Sequence, residues 1–222
     1  MSTIRVLLAD DQALLRATFR VLIDSTSDIS VIGEAADGGE AVEQARADRP
    51  DVVVMDIRMP GTDGLTATAA ICADPDLAGT RVLILTTFEN DEHVARALRA
   101  GASGFLGKDV TADVLLDGIR TVAAGDSLLS PLATRALVTR FLATPEPEAR
   151  LVHPEGLTVL TDREREMTAL AALGKSNAEI ADELFLSPLT VRSHIQRAMT
   201  KLHARDRAQL VVIAYQSGLV RT

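Results

Sequence analysis

Asp51-Val52-Val53-Val54-Met55-Asp56-Ile57-Arg58-Met59-Pro60-Gly61 runs four apolar residues, three of them β-branched, directly into the carboxylate of Asp56. Pro60 and Gly61 then break the pattern. An uninterrupted apolar run of this length, bounded by turn residues, suits a strand buried on both faces, as in a parallel sheet. Asp56 then falls at the carboxyl end of the strand, the edge where open α/β sheets hold their ligands. An ordinary solvated turn also uses an aspartate there, so the neighbouring strands decide between the two readings.

Upstream the same arrangement recurs, with Ile4-Arg5-Val6-Leu7-Leu8-Ala9 ending at Asp10-Asp11. Residues 12–25 place Ala13, Leu14, Ala17, Phe19, Val21 and Leu22 at mostly helical spacing. A second strand is predicted over 29–32 and a second helix over 38–49. Downstream of Asp56, a loop with Gly61 and Gly64 leads to a helix over 65–73. A fourth strand follows over 81–87, a helix over 91–100, a short fifth strand over 101–108 and a helix over 111–124. Thr111 is the expected N-cap of that last helix. Five strands alternating with five helices predict an α/β doubly wound, five-stranded parallel domain with right-handed crossovers.

The strand ends of such a sheet face one edge, which gathers Asp10, Asp11, Asp56, Thr86 and Lys108 into one crevice. Carboxylates so close repel one another, and a hard dication relieves that. Mg²⁺ takes oxygen ligands, keeps several waters and completes its shell with phosphate. With the metal bound, Asp56 is suited to attack a phosphoryl group and form an acyl phosphate. Such transfer is mostly positioning and charge neutralisation, which Lys108 and the metal can supply. The Thr86 hydroxyl is suited to donate to a phosphoryl oxygen.

Composition limits the alternatives. A chain of 222 residues has length for two modest domains. Cys72 is the single cysteine, which excludes an intrachain disulfide or a cysteine metal site. Arg5, Asp10 and Asp11 interrupt any signal-peptide core, and no uncharged run approaches the ~18 residues of a membrane span, so a cytoplasmic protein without a membrane partner is expected. Residues 1–124 hold 11 basic and 20 acidic residues, a net of −9, whereas 157–222 hold 9 and 7, a net of +2. An acidic first domain and a C-terminal domain with one basic face follow, the latter compatible with nucleic acid.

Asp10-Asp11, Asp56, Pro60, Gly64, Thr86, Phe105 and Lys108 together resemble the full set of a two-component receiver domain over about residues 3–124. The resemblance implies that Asp56 accepts phosphate from a sensor histidine kinase. It also implies that Asp11, Asp56 and the Arg58 backbone carbonyl ligate Mg²⁺, with Asp10 acting through water, and that Thr86 and Phe105 form a switch pair. In that pair the hydroxyl moves to the phosphate and the ring turns inward. Gly107 departs from the pattern, since relatives usually carry a larger apolar residue before the lysine; a looser loop presenting Lys108 is expected.

Beyond the receiver, residues 125–156 read as a linker. A helix is expected over 130–142, with Pro131 at its first position. Thr144-Pro145-Glu146-Pro147-Glu148 and His153-Pro154-Glu155-Gly156 read as extended, and His153 is expected to be a solvated side chain. From 157 to 222 the pattern is helical. Thr161-Asp162-Arg163-Glu164 is a capping box, Ser176 opens a second helix, and Ser187 with Pro188 opens a third. The third carries Arg192, Ser193, Gln196, Arg197 and Lys201 beside an apolar face of Val191, Ile195, Met199 and Leu202. Two short helices with a tight turn, the second basic, fit a helix-turn-helix; a helix packed on a protein partner is the competing view. Leu160-Thr161-Asp162-Arg163-Glu164, Ser176-Asn177-Ala178-Glu179-Ile180-Ala181, Leu186-Ser187 and Thr190-Val191-Arg192-Ser193-His194 resemble the LuxR-type (NarL-group) DNA-binding domain, here an all-α four-helix unit. The resemblance implies that the third helix enters the major groove of a double-stranded operator, with Arg192, Ser193 and Gln196 near base edges. Thr190, Arg197 and Lys201 are then placed for phosphates. Arg192 stands where relatives often carry lysine, and its planar fork suits guanine. The last helix is expected to expose Leu210, Val211, Ile213 and Ala214 and resembles the family's dimer contact; the domain's own core competes for them.

The expected function is a DNA-binding response regulator that phosphorylation of Asp56 converts to an operator-binding homodimer. It is not expected to be a turnover enzyme, since no histidine or extra carboxylate follows Asp56 at short spacing to activate water. The alternative is a phosphorylation-independent regulator with a vestigial pocket, which the intact Asp, Thr and Lys set opposes.

Overall fold

The computed structural model of the chain describes residues 3–87, 91–125 and 154–220. The helix expected over 130–142, the segment 144–148 and His153 lie outside the described residues. The chain divides into two compact units, Met1–Leu128 and Leu129–Thr222.

The first unit alternates β1 (Ile4–Ala9), α1 (Ala13–Asp24), β2 (Ile29–Ala35), α2 (Gly38–Asp48), β3 (Val52–Met55), α3 (Gly64–Ala73), β4 (Arg81–Thr86), α4 (Asp91–Arg99), β5 (Gly104–Gly107) and α5 (Ala112–Ala123). The strands form one sheet in the order β2-β1-β3-β4-β5, and every pairing is parallel. β3 is the central strand and all four of its residues are buried, as its unbroken apolar run predicts. Val6, Leu8, Val52, Val54, Leu83 and Leu85 share one face and pack with Ile23 of α1 and Leu115, Ile119 and Val122 of α5. Each fully buried valine or leucine contributes about 1.5–3 kcal/mol relative to exposure. α2, α3 and α4 contact the sheet through β1, β2, β4 and β5.

Several boundaries differ from expectation. β2 extends through Gly33 and Glu34 to Ala35, because its ladder with β1 continues to the Ala9–Ala35 pair across a register shift between Val6 and Leu7. β5 starts only at Gly104, since Gly101 turns the chain at φ 104° and Ala102 donates back to the Ala97 carbonyl at the end of α4. Thr111 occupies the N-cap position of α5, yet its side chain makes no capping hydrogen bond. A short 3₁₀ helix, Pro75–Leu77, was not expected.

The second unit holds α6 (Asp162–Ala172), α7 (Asn177–Leu184), α8 (Pro188–Leu202) and α9 (Arg207–Gln216). Thr161 and Ser176 form complete capping boxes with Glu164 and Glu179, and the Ser187 hydroxyl accepts from the Thr190 amide at the start of α8. Phe185, Leu186 and Ser187 make the turn between α7 and α8, with Phe185 in the left-handed region at φ 54°. Two expectations need correction here. Pro154-Glu155-Gly156 is not extended: it opens a 3₁₀ helix, Pro154–Val159, which brings Leu157 into the domain core and runs directly on to the buried Leu160. Leu210, Val211 and Ala214 are not exposed either; all three are at most 1% accessible and pack in the core beside Ala172, Ile195 and Met199. Five consecutive apolar residues on α9, Leu210 to Ala214, give no direction to the helix, and all but Ile213 are buried.

Candidate functional site

The sheet topology places Ala9, Met55 and Thr86 at the carboxyl edge of adjacent strands. Backbone bonds carry the ladders one residue further: the Asp56 amide donates to the Ala9 carbonyl at 2.8 Å and the Lys108 amide to the Thr86 carbonyl at 2.9 Å. The Asp10 amide likewise donates to the Ala35 carbonyl at 3.1 Å, so main-chain bonds hold Asp10, Asp56 and Lys108. Gly107 lies inside this ladder, paired with Thr86, so the main chain leading into Lys108 is anchored rather than loose.

The side chains converge as the sequence predicts. The Lys108 Nζ lies 2.6 Å from Asp10 Oδ2 and 2.9 Å from Asp56 Oδ2, with all three side chains nearly inaccessible. Asp56 Oδ1 accepts from the Ile57 amide at 2.8 Å, and Asp10 Oδ1 from the Gln12 amide at 2.9 Å. Asp11 is exposed at the mouth, and oxygens of Asp10, Asp11 and Asp56 lie within 4.8 Å of one another. One ammonium therefore serves a cluster of three carboxylates. Burial pushes the Asp56 carboxyl above its ordinary range, and the Lys108 ammonium offsets this only in part, with Asp10 adding repulsion. Burial alone would lower Lys108, but its bonds to Asp10 and Asp56 outweigh that and raise it. Asp56 moves up through its burial and Lys108 through its two acidic partners. Three oxygen donors with surplus negative charge and one exposed member fit a hard dication such as Mg²⁺.

Thr86 ends β4 with 1% exposure, and Phe105 sits in β5 with 6%. Arg58 is exposed in the loop after β3 and lines a cleft with Asp63, His93 and Arg96. Arg16 escaped the sequence reading. Its guanidinium donates to the Asp10 carbonyl and pairs with Glu34 of β2, so it ties the loop carrying Asp10 and Asp11 to the sheet edge. The signal for it was weak: one arginine among helical positions. Gly64, which opens α3, is buried against the site; a Cβ there would lie 1.8 Å from the Asp56 carbonyl oxygen.

In the second unit, Leu189, Arg192, Ser193, Gln196 and Arg197 are exposed on α8, while Val191, Ile195, Ala198 and Met199 are buried. Residues 188–202 contain no acid. Thr190 is half-buried and its hydroxyl pairs with that of Ser187 at 2.8 Å. Lys201 is corrected: its Nζ lies 2.7 Å from Glu164 Oε2, so it ties the end of α8 to the start of α6 rather than standing ready for a phosphate. The same Glu164 oxygen accepts from the Thr161 amide at 2.8 Å. Burial would raise Glu164, but Lys201 and the Thr161 amide hold its carboxyl below the ordinary range. A carboxyl held low in the fold contributes stability present above about pH 4.5 and lost as pH falls through the lowered value. Glu164→Gln is expected to cost the helical unit about 1 kcal/mol at pH 7 and to flatten its acid-side stability profile; thermal melts from pH 7 to 3 that run parallel for both proteins would refute the assignment.

Comparison with known proteins agrees with both units. Residues 6–120 match the model of the response regulator receiver domain, and residues 158–214 that of the bacterial regulatory proteins of the luxR family. The transcriptional regulatory protein YxjL of Bacillus subtilis is 39% identical over 220 residues, covering 98% of both chains. LiaR of the same organism is 38% identical over 217 residues, covering 98% of this chain and 99% of that one. The oxygen regulatory protein NreC of Staphylococcus carnosus is 35% identical, covering 97% and 99%. Among solved structures, the response regulator ChrA of a heme-sensing two-component system superposes with a TM-score of 0.52 at 35% identity, covering 99% of this chain and all of that one. Among the described residues, no helix is long and apolar enough to cross a membrane. Carboxylates and lysine at the sheet edge, the luxR-type helical unit and relatives matched end to end agree, and the chain belongs to the DNA-binding two-component response regulators of the LuxR (NarL) group.

Proposed function

We propose that this regulator is switched by phosphoryl transfer from a sensor histidine kinase to Asp56, and that the phosphorylated form pairs through its receivers to bind a two-half-site operator. The observation that carries this reading is the Lys108 ammonium shared between Asp10 and Asp56 at the carboxyl edge of the sheet. An Asp56 oxygen forms the new P–O bond while the P–N bond to the kinase's imidazole breaks, its electron pair staying on nitrogen. Mg²⁺, held by Asp11, Asp56, the Arg58 carbonyl and, through water, Asp10, would supply neutralisation of the charge gathering on the phosphoryl oxygens. The Lys108 ammonium exchanges its Asp56 carboxylate partner for a phosphoryl oxygen, and the Thr86 hydroxyl donates a hydrogen bond to another. Phe105 is the switch partner of Thr86, its ring turning inward as the hydroxyl moves to the phosphate. Phosphate shifts the population only by the free energy it contributes differentially to the two states. No histidine or further carboxylate follows Asp56 at short spacing in the sequence, which supports a site that accepts and slowly loses phosphate rather than one that turns over.

On the DNA side, Arg192, Ser193 and Gln196 face base edges, and Arg197 and the Thr190 hydroxyl take phosphates. Arg192→Ala is expected to relax preference at one base position per half-site, at a cost of about 1–3 kcal/mol; an equal loss on every sequence would make Arg192 a phosphate contact instead. The test of the whole reading is mass and oligomer size after incubation with acetyl phosphate and Mg²⁺. A phosphate adduct and a dimer are expected for the wild type and neither for Asp56→Asn. Operator binding unchanged by phosphodonor at every protein concentration would favour the vestigial pocket.

A further inference from the structure

Leu189 is 72% exposed in the first turn of α8. An exposed leucine alone needs no explanation; its position does. Arg192, Ser193 and Gln196 follow it at i+3, i+4 and i+7, the spacing of one helical face, and all are exposed. The Ser193 hydroxyl donates to the Leu189 carbonyl at 2.9 Å, which ties the two residues together along that face. The exposed stripe of α8 therefore begins with an apolar side chain and continues with polar and cationic ones, with no acid anywhere in the helix. A polyanion complements such a stripe, and a helix-turn-helix presents the N-terminal residues of its second helix to base edges. In the major groove the one apolar group is the C5-methyl of thymine.

We infer that Leu189 is a specificity residue that reads a thymine methyl in each half-site, about one or two base steps from the pair contacted by Arg192. This rests on the reading of α8 as the recognition helix and goes beyond it by naming the group that a leucine, unlike a polar residue, selects. Leucine offers no hydrogen bond, so it discriminates through the methyl alone. Removing that methyl should cost about fourfold in Kd per half-site, the worth of one buried methyl-sized group.

The test starts from the full chain, treated with acetyl phosphate and Mg²⁺, used to select duplexes from a random pool. Each thymine of the selected duplex is then replaced singly by deoxyuracil, and Kd is measured for the wild type and for Leu189→Ala. One position per half-site is expected where deoxyuracil weakens the wild type about fourfold and leaves Leu189→Ala unchanged. A selection repeated with Leu189→Ala should lose the thymine preference at that position and keep the one assigned to Arg192. Enriched duplexes with no thymine methyl sensed differently by the two proteins overturn the inference and leave the DNA-binding reading standing. Failure to enrich any sequence, with the adduct confirmed by mass, overturns both. The exposure of Leu189 makes a folding defect unexpected, and a melting curve for Leu189→Ala matching the wild type secures the comparison.

Discussion

Asp56→Asn is expected to melt higher than the wild type in Mg²⁺-free buffer, by several degrees, while losing all capacity for a phosphate adduct. The cluster carries three carboxylates and one ammonium. Breaking a buried ion pair is usually costly because it strands a charge, but here Lys108 keeps Asp10 as a partner. What leaves is the acid that burial has already pushed above its ordinary range. An Asp raised in this way binds a proton more readily in the fold than unfolded. Its ionised form thus costs stability at neutral pH, and that cost vanishes as pH falls below its ordinary value near 3.8. The variant's advantage, on the order of 1 kcal/mol, should shrink on acidification. Added Mg²⁺ should raise the wild-type melting temperature by mass action and raise Asp56→Asn less. A variant that melts lower than the wild type without metal would mean that Lys108 fully compensates both carboxylates.

The two halves of the chain were legible to different degrees, and the reason is directional information. β3 and β4 are apolar on both faces, so length and bounding turn residues sufficed to recognise them. Their parallel order then brought Asp10, Asp56 and Lys108 together without any knowledge of side-chain contacts. α9 offered no such guide. Leu210, Val211, Val212, Ile213 and Ala214 are consecutive apolar residues, and only packing against α6 and α8 decides which face is buried. Lys201 is a similar case, since its partner Glu164 lies 37 positions away and on a different helix. Charge on a basic helix reads as availability for DNA until the fold supplies an acid. Arg16 belongs with these: its link to the Asp10 carbonyl and Glu34 depends on the ends of β1 and β2 standing side by side.

Gly64→Ala should be strongly damaging to the receiver. The added Cβ would sit 1.8 Å from the Asp56 carbonyl oxygen and 2.8 Å from its carbon, so the atoms that must give are main chain of Asp56 itself. Relief requires moving either the end of β3 or the start of α3. The second route breaks the bond of 2.9 Å from the Gly64 amide to the Ile57 carbonyl and disturbs the Asp63 cap, which accepts from the Thr66 amide at 2.7 Å. A cost of about 3 kcal/mol or more is expected, out of the 5–15 typical of a whole domain. A displacement of about 1 Å at Asp56 should also slow adduct formation roughly a hundredfold. Gly61→Ala is the control, because Gly61 has φ 67° and nothing within 4 Å of a built Cβ. It meets only the backbone strain of a left-handed alanine, about 1–2 kcal/mol, and should keep near-normal adduct formation. If both variants melted together and accepted phosphate equally fast, close approach at Gly64 would not govern the site, and the loop between β3 and α3 would be more compliant than its packing implies.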